Sequence, residues 1–278
     1  MQVIEGQVIE GHGARIPILG FGTMTLKDDL CVELVEAALH LGYRHLDTAQ
    51  MYGNEREVGA GLRRSGVNRE DVFVTTKVWF NRLAPGDFER SVDESLERLG
   101  LPWVDLLLVH WPNAQIPLSQ SIASLCKVKR AGLTRHIGVA NFNIAMIEEA
   151  VACASEPLAS LQIEMHPYLD QTKILAAARR HGMAVVGYCP LARGKVPGDP
   201  VLQRIGRGHG KSAAQVALRF LEQQNIAPIP RSSKRERLAE NLASLEFQLS
   251  ESEMAEIAGL KRPDSRIVSP PQAPQWDS

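Results

Sequence analysis

Eight short apolar runs punctuate the chain, beginning near Ile18, Tyr43, Val72, Val104, Arg135, Ala159, Ala184 and Ile226. Within them apolar residues follow one another instead of alternating, as expected of parallel strands buried on both faces. Between them, apolar residues recur at spacings of three and four, as in Leu30, Leu34, Ala37, Ala38 and Leu41, or Val92, Leu96 and Leu99. That spacing predicts amphipathic helices. Most repeats span roughly 25 to 32 residues, the size of one strand–helix unit. Eight such units predict an α/β fold, a (β/α)8 TIM barrel, whose functional groups gather at the carboxyl ends of the strands.

The remaining stretches fit around that barrel. The pattern Val3 to Ile9 predicts a small N-terminal β-hairpin plugging the barrel bottom. From Tyr188 to Ser212 runs a segment rich in Gly, Pro and Arg, longer than an ordinary connection and predicted to be a lid or binding loop. Ser212 and Gln215 have capping-box spacing at the start of a helix predicted over Ala213 to Gln223, and Ser250 with Glu253 opens an additional C-terminal helix. The tail from Arg262, with Pro263, Pro270, Pro271 and Pro274, is predicted to be irregular, lying over a barrel mouth or hanging loose. No linker interrupts the pattern, so a single domain over 1–278 is expected.

Several predicted strands end on polar chemistry. The run through His45 and Leu46 ends at Asp47, Val72 to Thr76 ends at Lys77, and Val104 to Val109 ends at His110. Tyr52 follows Asp47 by five residues in a predicted loop, and Asn54 with Glu57 has the spacing of a capping pair for the next helix. Taken alone, Asp47 and Tyr52 read equally well as a helix-start acid and a half-buried tyrosine. Three polar strand endings in successive units bring the groups to one end of one sheet, which is the arrangement of an active site.

Composition narrows the chemistry. With 31 Lys and Arg against 32 Asp and Glu, the formal net charge of −1 gives no global field for nucleic acid or an anionic membrane. Four cysteines, Cys31, Cys126, Cys153 and Cys189, lack CxxC spacing and read as reduced thiols of a cytoplasmic protein. The N-terminus carries no signal-peptide pattern, and no apolar run approaches the roughly 20 residues of a membrane span. There is no HExxH pair, GxSxG elbow or GxGxxG turn after a strand, so the sequence supports no metal site, hydrolase elbow or Rossmann turn. Gly206 to Ser212 has glycines one residue too close for a phosphate loop. By contrast, Pro230 to Arg237 follows the last strand and leads into a helix, so its arginines and serines suit an anion at a helix N-terminus. A solvated basic helix start is the plainer alternative.

Together these segments resemble the aldo-keto reductase family, from about Val3 to Leu260. Gly20 to Thr23 is similar to its first-strand motif, Asp47 to Gly59 to its first signature, Leu106 to Pro112 to the segment carrying its histidine, and Ile229 to Asn241 to its last signature. The nearest flavour is that of short bacterial reductases acting on keto sugars and small carbonyls. The resemblance implies a catalytic tetrad of Tyr52, Lys77, Asp47 and His110, with NADPH as hydride source and Tyr52 as proton donor. Lys77 is then expected to lower the Tyr52 pKa, Asp47 to hold Lys77, and His110 to act as a neutral imidazole beside the substrate oxygen.

The same resemblance implies cofactor contacts from Gly22, Thr23, Met24 and Asp47. It places Asn141 and Gln162 on the nicotinamide carboxamide, Tyr188 against its ring and Leu191 in the segment over the pyrophosphate. Arg231, Ser232 and Arg237 match a 2′-phosphate seat, and Glu240 and Asn241 match adenine contacts. Met24, Trp79, His110 and Trp111 are expected to line the substrate pocket. Two positions depart from the common pattern: Ala140 stands where many members have serine, and Met24 where many have tryptophan. The expectation is a monomeric cytoplasmic carbonyl reductase. A barrel sensing the NADP redox state through a protein partner, and a proton-transferring isomerase or lyase, remain as readings from other classes.

Overall fold

The computed structural model describes residues 7–277. Its first elements, β1 (Val8–Gly11) and β2 (Ala14–Pro17), form an antiparallel hairpin with Ile9 opposite Ile16. The sequence pattern predicts this hairpin over Val3 to Ile9. Residues 3–6 lie outside the described residues, and the pairing falls further along because His12 and Gly13 supply the positive φ angles (45° and 84°) of a tight turn. Ile9, Ala14 and Ile16 are buried against Ala159 and Ala184, near the starts of their strands, so the hairpin closes the barrel's amino-terminal end.

Eight parallel strands follow in sequence order: β3 (Phe21–Gly22), β4 (His45–Asp47), β5 (Phe73–Val78), β6 (Val104–Val109), β7 (Thr134–Ala140), β8 (Leu158–Glu164), β9 (Ala184–Tyr188) and β10 (Ile226–Pro228). The ends of the sheet meet, with Gly20 N–H donating to Pro228 O at 3.0 Å and Gly22 N–H to Pro230 O at 3.1 Å. A Cβ on Gly22 would lie 2.7 Å from Ile229 O, so this closure needs glycine. The result is the predicted (β/α)8 barrel.

Helices α1 (Asp28–Leu41), α2 (Glu55–Ser65), α3 (Asp87–Leu99), α4 (Leu118–Arg130), α5 (Ile144–Cys153) and α6 (Thr172–Arg180) join successive strands. Between β9 and β10 lie two helices, α7 (Pro200–His209) and α8 (Ala213–Glu222), and α9 (Arg235–Leu242) follows β10. The stretch before Ser212 is therefore not a plain loop. Asp199 caps α7 by accepting from Val201 and Leu202 N–H at 2.9 and 3.1 Å, with Pro200 in the first turn. The predicted capping boxes at Ser212–Gln215 and Ser250–Glu253 are both formed, the second opening α10 (Glu251–Ala258).

Strand alternation sorts the core into two layers. On β6, Leu106 and Leu108 join Ile16, Val186 and Ile229 in the barrel interior, whereas Leu107 and Val109 join the cluster under the helices. One acid sits awkwardly in that packing. Glu222, at the end of α8, accepts from Ser244 Oγ at 2.7 Å, and its other carboxylate oxygen, 3.6 Å from Arg219, has no hydrogen bond among the described residues.

Burial pushes the Glu222 carboxyl up to about 7, against the opposing pull of Ser244 and Arg219. Above the ordinary value of 4.5 the unfolded chain has released this proton while the folded chain still holds it. Stability therefore falls as pH rises from there through 7. Glu222→Gln is expected to flatten that decline, a gain on the order of 3 kcal/mol above the folded pKa. Denaturant titrations of both proteins across this window check it, and parallel curves would contradict it.

Candidate active site

The same alternation carries polar side chains into the barrel mouth. His45 and Asp47 on β4 share the parity of Thr75 and Lys77 on β5, and His110 continues the inward series of Leu106 and Leu108. Lys77 Nζ donates to Asp47 Oδ1 at 2.6 Å and to Thr48 O at 2.8 Å, and both charged side chains are at most 1% exposed. The second Asp47 oxygen accepts from Gln162 Nε2 at 2.8 Å. Asp47 O is in turn held by the N–H and hydroxyl of Thr23, at 3.0 and 2.9 Å.

Tyr52 reaches this pair from a 3-10 turn, Gln50–Tyr52, which Gly53 ends in a left-handed conformation. Its phenol oxygen is 3.5 Å from Lys77 Nζ, and its ring meets the His110 ring edge-on, centroids 5.7 Å apart. Trp79 also meets His110 edge-on, centroids 5.0 Å apart. Asn54 does not cap α2 through its side chain, as its spacing to Glu57 had predicted. It is buried instead, accepting from Thr48 Oγ1 and donating to Thr23 O and Leu26 O at 2.8 to 3.0 Å. A buried amide gains more from three such bonds than from one exposed helix N–H.

Burial dominates the electrostatics. It lowers the Lys77 ammonium below its usual range, with Asp47 pulling the other way. It raises the Tyr52 phenol well above the usual value, reinforced by Asp47. The net shift of the Tyr52 phenol is therefore upward, where a lowering by Lys77 was expected, because desolvation of the phenolate is the largest effect. His110 is held well below the ordinary histidine range by burial and by Lys77, so its imidazole is neutral. Its Nδ1 is buried without a partner among the described residues.

The other residues singled out in the sequence lie around this centre. Asn141 adopts φ 62° and donates to His110 O at 2.9 Å, while Tyr188 donates to its side-chain oxygen at 2.6 Å. Tyr188 ends β9, and Leu191 follows in a loop where Cys189, Ala192 and Arg193 all have left-handed φ angles near 50°. Such residues store strain that marks functional loops. Arg231 is exposed and donates to Met24 O and Thr25 Oγ1. Ser232 is buried, exchanging hydrogen bonds with the Lys234 backbone. The first turn of α9 has no side-chain cap, and Lys234, Arg235 and Arg237 form no ion pair among the described residues. Glu240 accepts from Ser212 Oγ at 2.6 Å, and Asn241 is buried in the same helix.

The aldo/keto reductase family model matches residues 18–262. The chain belongs to the aldo/keto reductase family. A methylglyoxal reductase, DkgB, from Escherichia coli O157:H7 is 42% identical over 266 residues, covering 94% of this chain and 99% of that protein. Morphine 6-dehydrogenase from Pseudomonas putida is 38% identical, covering 92% and 93%. Among solved structures, a putative 2,5-diketo-D-gluconic acid reductase B superposes with a TM-score of 0.96 at 48% identity, over 98% of each chain.

In this aldo/keto reductase the tail after α10 is irregular, as predicted, and of its two expected courses it takes the one across the mouth. Glu164, fully buried at the end of β8, accepts from Ile267 N–H at 2.7 Å and Val268 N–H at 2.8 Å, and from His166 Nε2 at 3.0 Å. Arg266 stacks on Trp276 at 3.7 Å, and Trp276 meets Trp111 edge-on at 6.1 Å. Trp276 thus extends the aromatic wall that Trp79 and Trp111 suggested. Its distance in sequence from both gave no local signal of the contact. Removing the carboxylate in Glu164→Ala strands two backbone N–H groups and a histidine. Tryptic cleavage at Arg266, followed by mass spectrometry, is expected to accelerate by about fivefold to a hundredfold, from a loss of roughly 1–3 kcal/mol of local protection. Unchanged cleavage would show that Glu164 does not hold the tail.

Proposed function

We propose that this enzyme reduces aldehydes and ketones to alcohols with NADPH, Tyr52 giving the proton. The observation that carries the reading is the buried chain Asp47–Lys77–Tyr52, at 2.6 and 3.5 Å, with the neutral ring of His110 alongside. The protein fits a nicotinamide dinucleotide by its own chemistry: an uncapped helix start, whose Lys234, Arg235 and Arg237 form no ion pair among the described residues, suits a phosphate. Arg231, Ser232 and Arg237 would hold the 2′-phosphate, Glu240 and Asn241 the adenine, and Leu191 the pyrophosphate side. Asn141, Gln162 and Tyr188 would hold the nicotinamide, beside Gly22, Thr23 and Met24. When bound, NADPH supplies the hydride that a carbonyl carbon accepts.

The chain's own residues handle the oxygen. Tyr52 stays protonated at neutral pH because burial opposes its ionisation, so it enters the reaction as an acid. As charge builds on the substrate oxygen, the phenol passes its proton over and Lys77 steadies the phenolate left behind. That stabilisation grows along the reaction coordinate, which is what accelerates a step. Asp47 keeps Lys77 aimed, and His110, neutral, donates one N–H to the same oxygen. Met24, Trp79 and Trp111 would supply an apolar wall for a small substrate. The names of the relatives point to α-dicarbonyls and keto sugars. We further infer a single-domain monomer working in the cytoplasm.

Loss of reduced-nicotinamide absorbance, followed against aldehydes, α-dicarbonyls and keto sugars, tests this. Wild type is expected to turn over with NADPH in preference to NADH, and Tyr52→Phe to lose about 10²- to 10⁴-fold in kcat, the usual contribution of a general acid. Binding of NADPH without turnover would favour a redox sensor. Turnover without any nicotinamide would favour an isomerase or lyase. Full activity in Tyr52→Phe would remove Tyr52 as the acid.

A further inference from the structure

The turn that presents Tyr52 is fastened on two sides. Gln50 ties its start to the barrel: its Nε2 donates to Ser91 O at 2.9 Å and Ser95 Oγ at 3.0 Å, and its Oε1 accepts from Trp79 N–H at 3.0 Å. Lys27 ties its end. The ammonium reaches over from the residue before α1 and donates to the carbonyls of both Tyr52 and Gly53, the latter at 3.2 Å. Lys27 forms no ion pair among the described residues, so these two carbonyls are its hydrogen-bond partners. Gly53, at φ 59°, turns its backbone so that both oxygens face the lysine.

The segment carrying Lys27 is itself stitched to the catalytic residues. Thr23 holds Asp47 O, and Asn54 holds Thr23 O and Leu26 O. On its other side Arg231 holds Met24 O and Thr25 Oγ1. Residues 23–27 thus run as one strap from the basic start of the α9 region to the turn under Tyr52. The strap matters because the 3.5 Å separation of the phenol from Lys77 is at the outer limit of a hydrogen bond. A small outward drift of the turn breaks that contact.

We propose that Lys27 is a positioning residue for Tyr52: by gripping the carbonyls of Tyr52 and Gly53 it keeps the phenol within reach of Lys77. The inference rests on Tyr52 being the proton donor. Lys27 acts through charge-assisted hydrogen bonds to the backbone of a turn. Shortening it removes the grip without opening a cavity, since the side chain is exposed.

The test compares Lys27→Met and Lys27→Arg with wild type in single-turnover reduction of an aldehyde by NADPH. Lys27→Met is expected to slow the step about tenfold while KM, NADPH affinity and melting temperature stay within about twofold or a few degrees, as for a displaced but folded catalytic group. Lys27→Arg, which keeps a cationic donor, is expected to recover most of the rate. In a Tyr52→Phe background, Lys27→Met is expected to cost nothing more, because the group it positions is gone. An unchanged rate, a loss that persists in that background, or a loss matched by lower melting temperature and NADPH affinity would overturn the proposal. Wild type that turns over while Lys27→Met equals it removes this inference alone. Wild type that never oxidises NADPH removes the reading of Tyr52 as acid, and this inference with it.

Discussion

The buried contact between Lys77 and Asp47 is the constraint around which the mouth of the barrel is arranged. Taking each ion out of water costs several kcal/mol, and their attraction offsets this only with good geometry and further hydrogen bonds. Both conditions are met: the contact is 2.6 Å, Thr48 O takes a second ammonium proton, and Gln162 satisfies the other carboxylate oxygen. An apolar pair of similar size would fill the same space without that cost, so stability alone does not account for it. What the pair provides is a fixed cation near a phenol, in a place where burial opposes the charged form of both groups.

The surroundings act on that centre through backbone, more than through direct contact. Thr23 holds Asp47 by its carbonyl, Asn141 holds His110 by its carbonyl, and Asn54 ties the first loop to the turn beneath Tyr52. Each of these side chains is buried and engaged, so their positions are set before any ligand arrives. The tail adds a wall from outside: Glu164 fixes Ile267 and Val268, which places Trp276 beside Trp111. Preorganised polar groups at the floor and an aromatic rim above suit a small carbonyl compound with one polar end.

Much of this was legible in the sequence, for identifiable reasons. Parallel strands buried on both faces leave continuous apolar runs, so the eight units could be counted. Asp47, Lys77 and His110 each close an apolar run, and parallel strands put such endings at one rim, so that grouping was readable too. Helix α7 was harder to read, since Gly206, Gly208 and Gly210 suggest a loop. Gly206 lies inside the helix and is glycine because a Cβ there would sit 2.4 Å from Lys211 O. Asn54 looked like a cap and is a buried tie, a choice made by partners in a different loop. The direction of the Tyr52 shift depends on a balance between burial and an already paired lysine, which no local pattern encodes. The tail's anchor, Glu164, is a hundred residues away from the backbone it holds and carries no motif.

The most direct test of hydride transfer follows the hydrogen itself. NADPH carrying deuterium at the transferable position of the nicotinamide is incubated with the enzyme and a simple aldehyde in ordinary water. The account predicts an alcohol with the deuterium on the former carbonyl carbon, seen by mass spectrometry. Product formed without the label, or an isomer formed as readily when NADPH is left out, would contradict it.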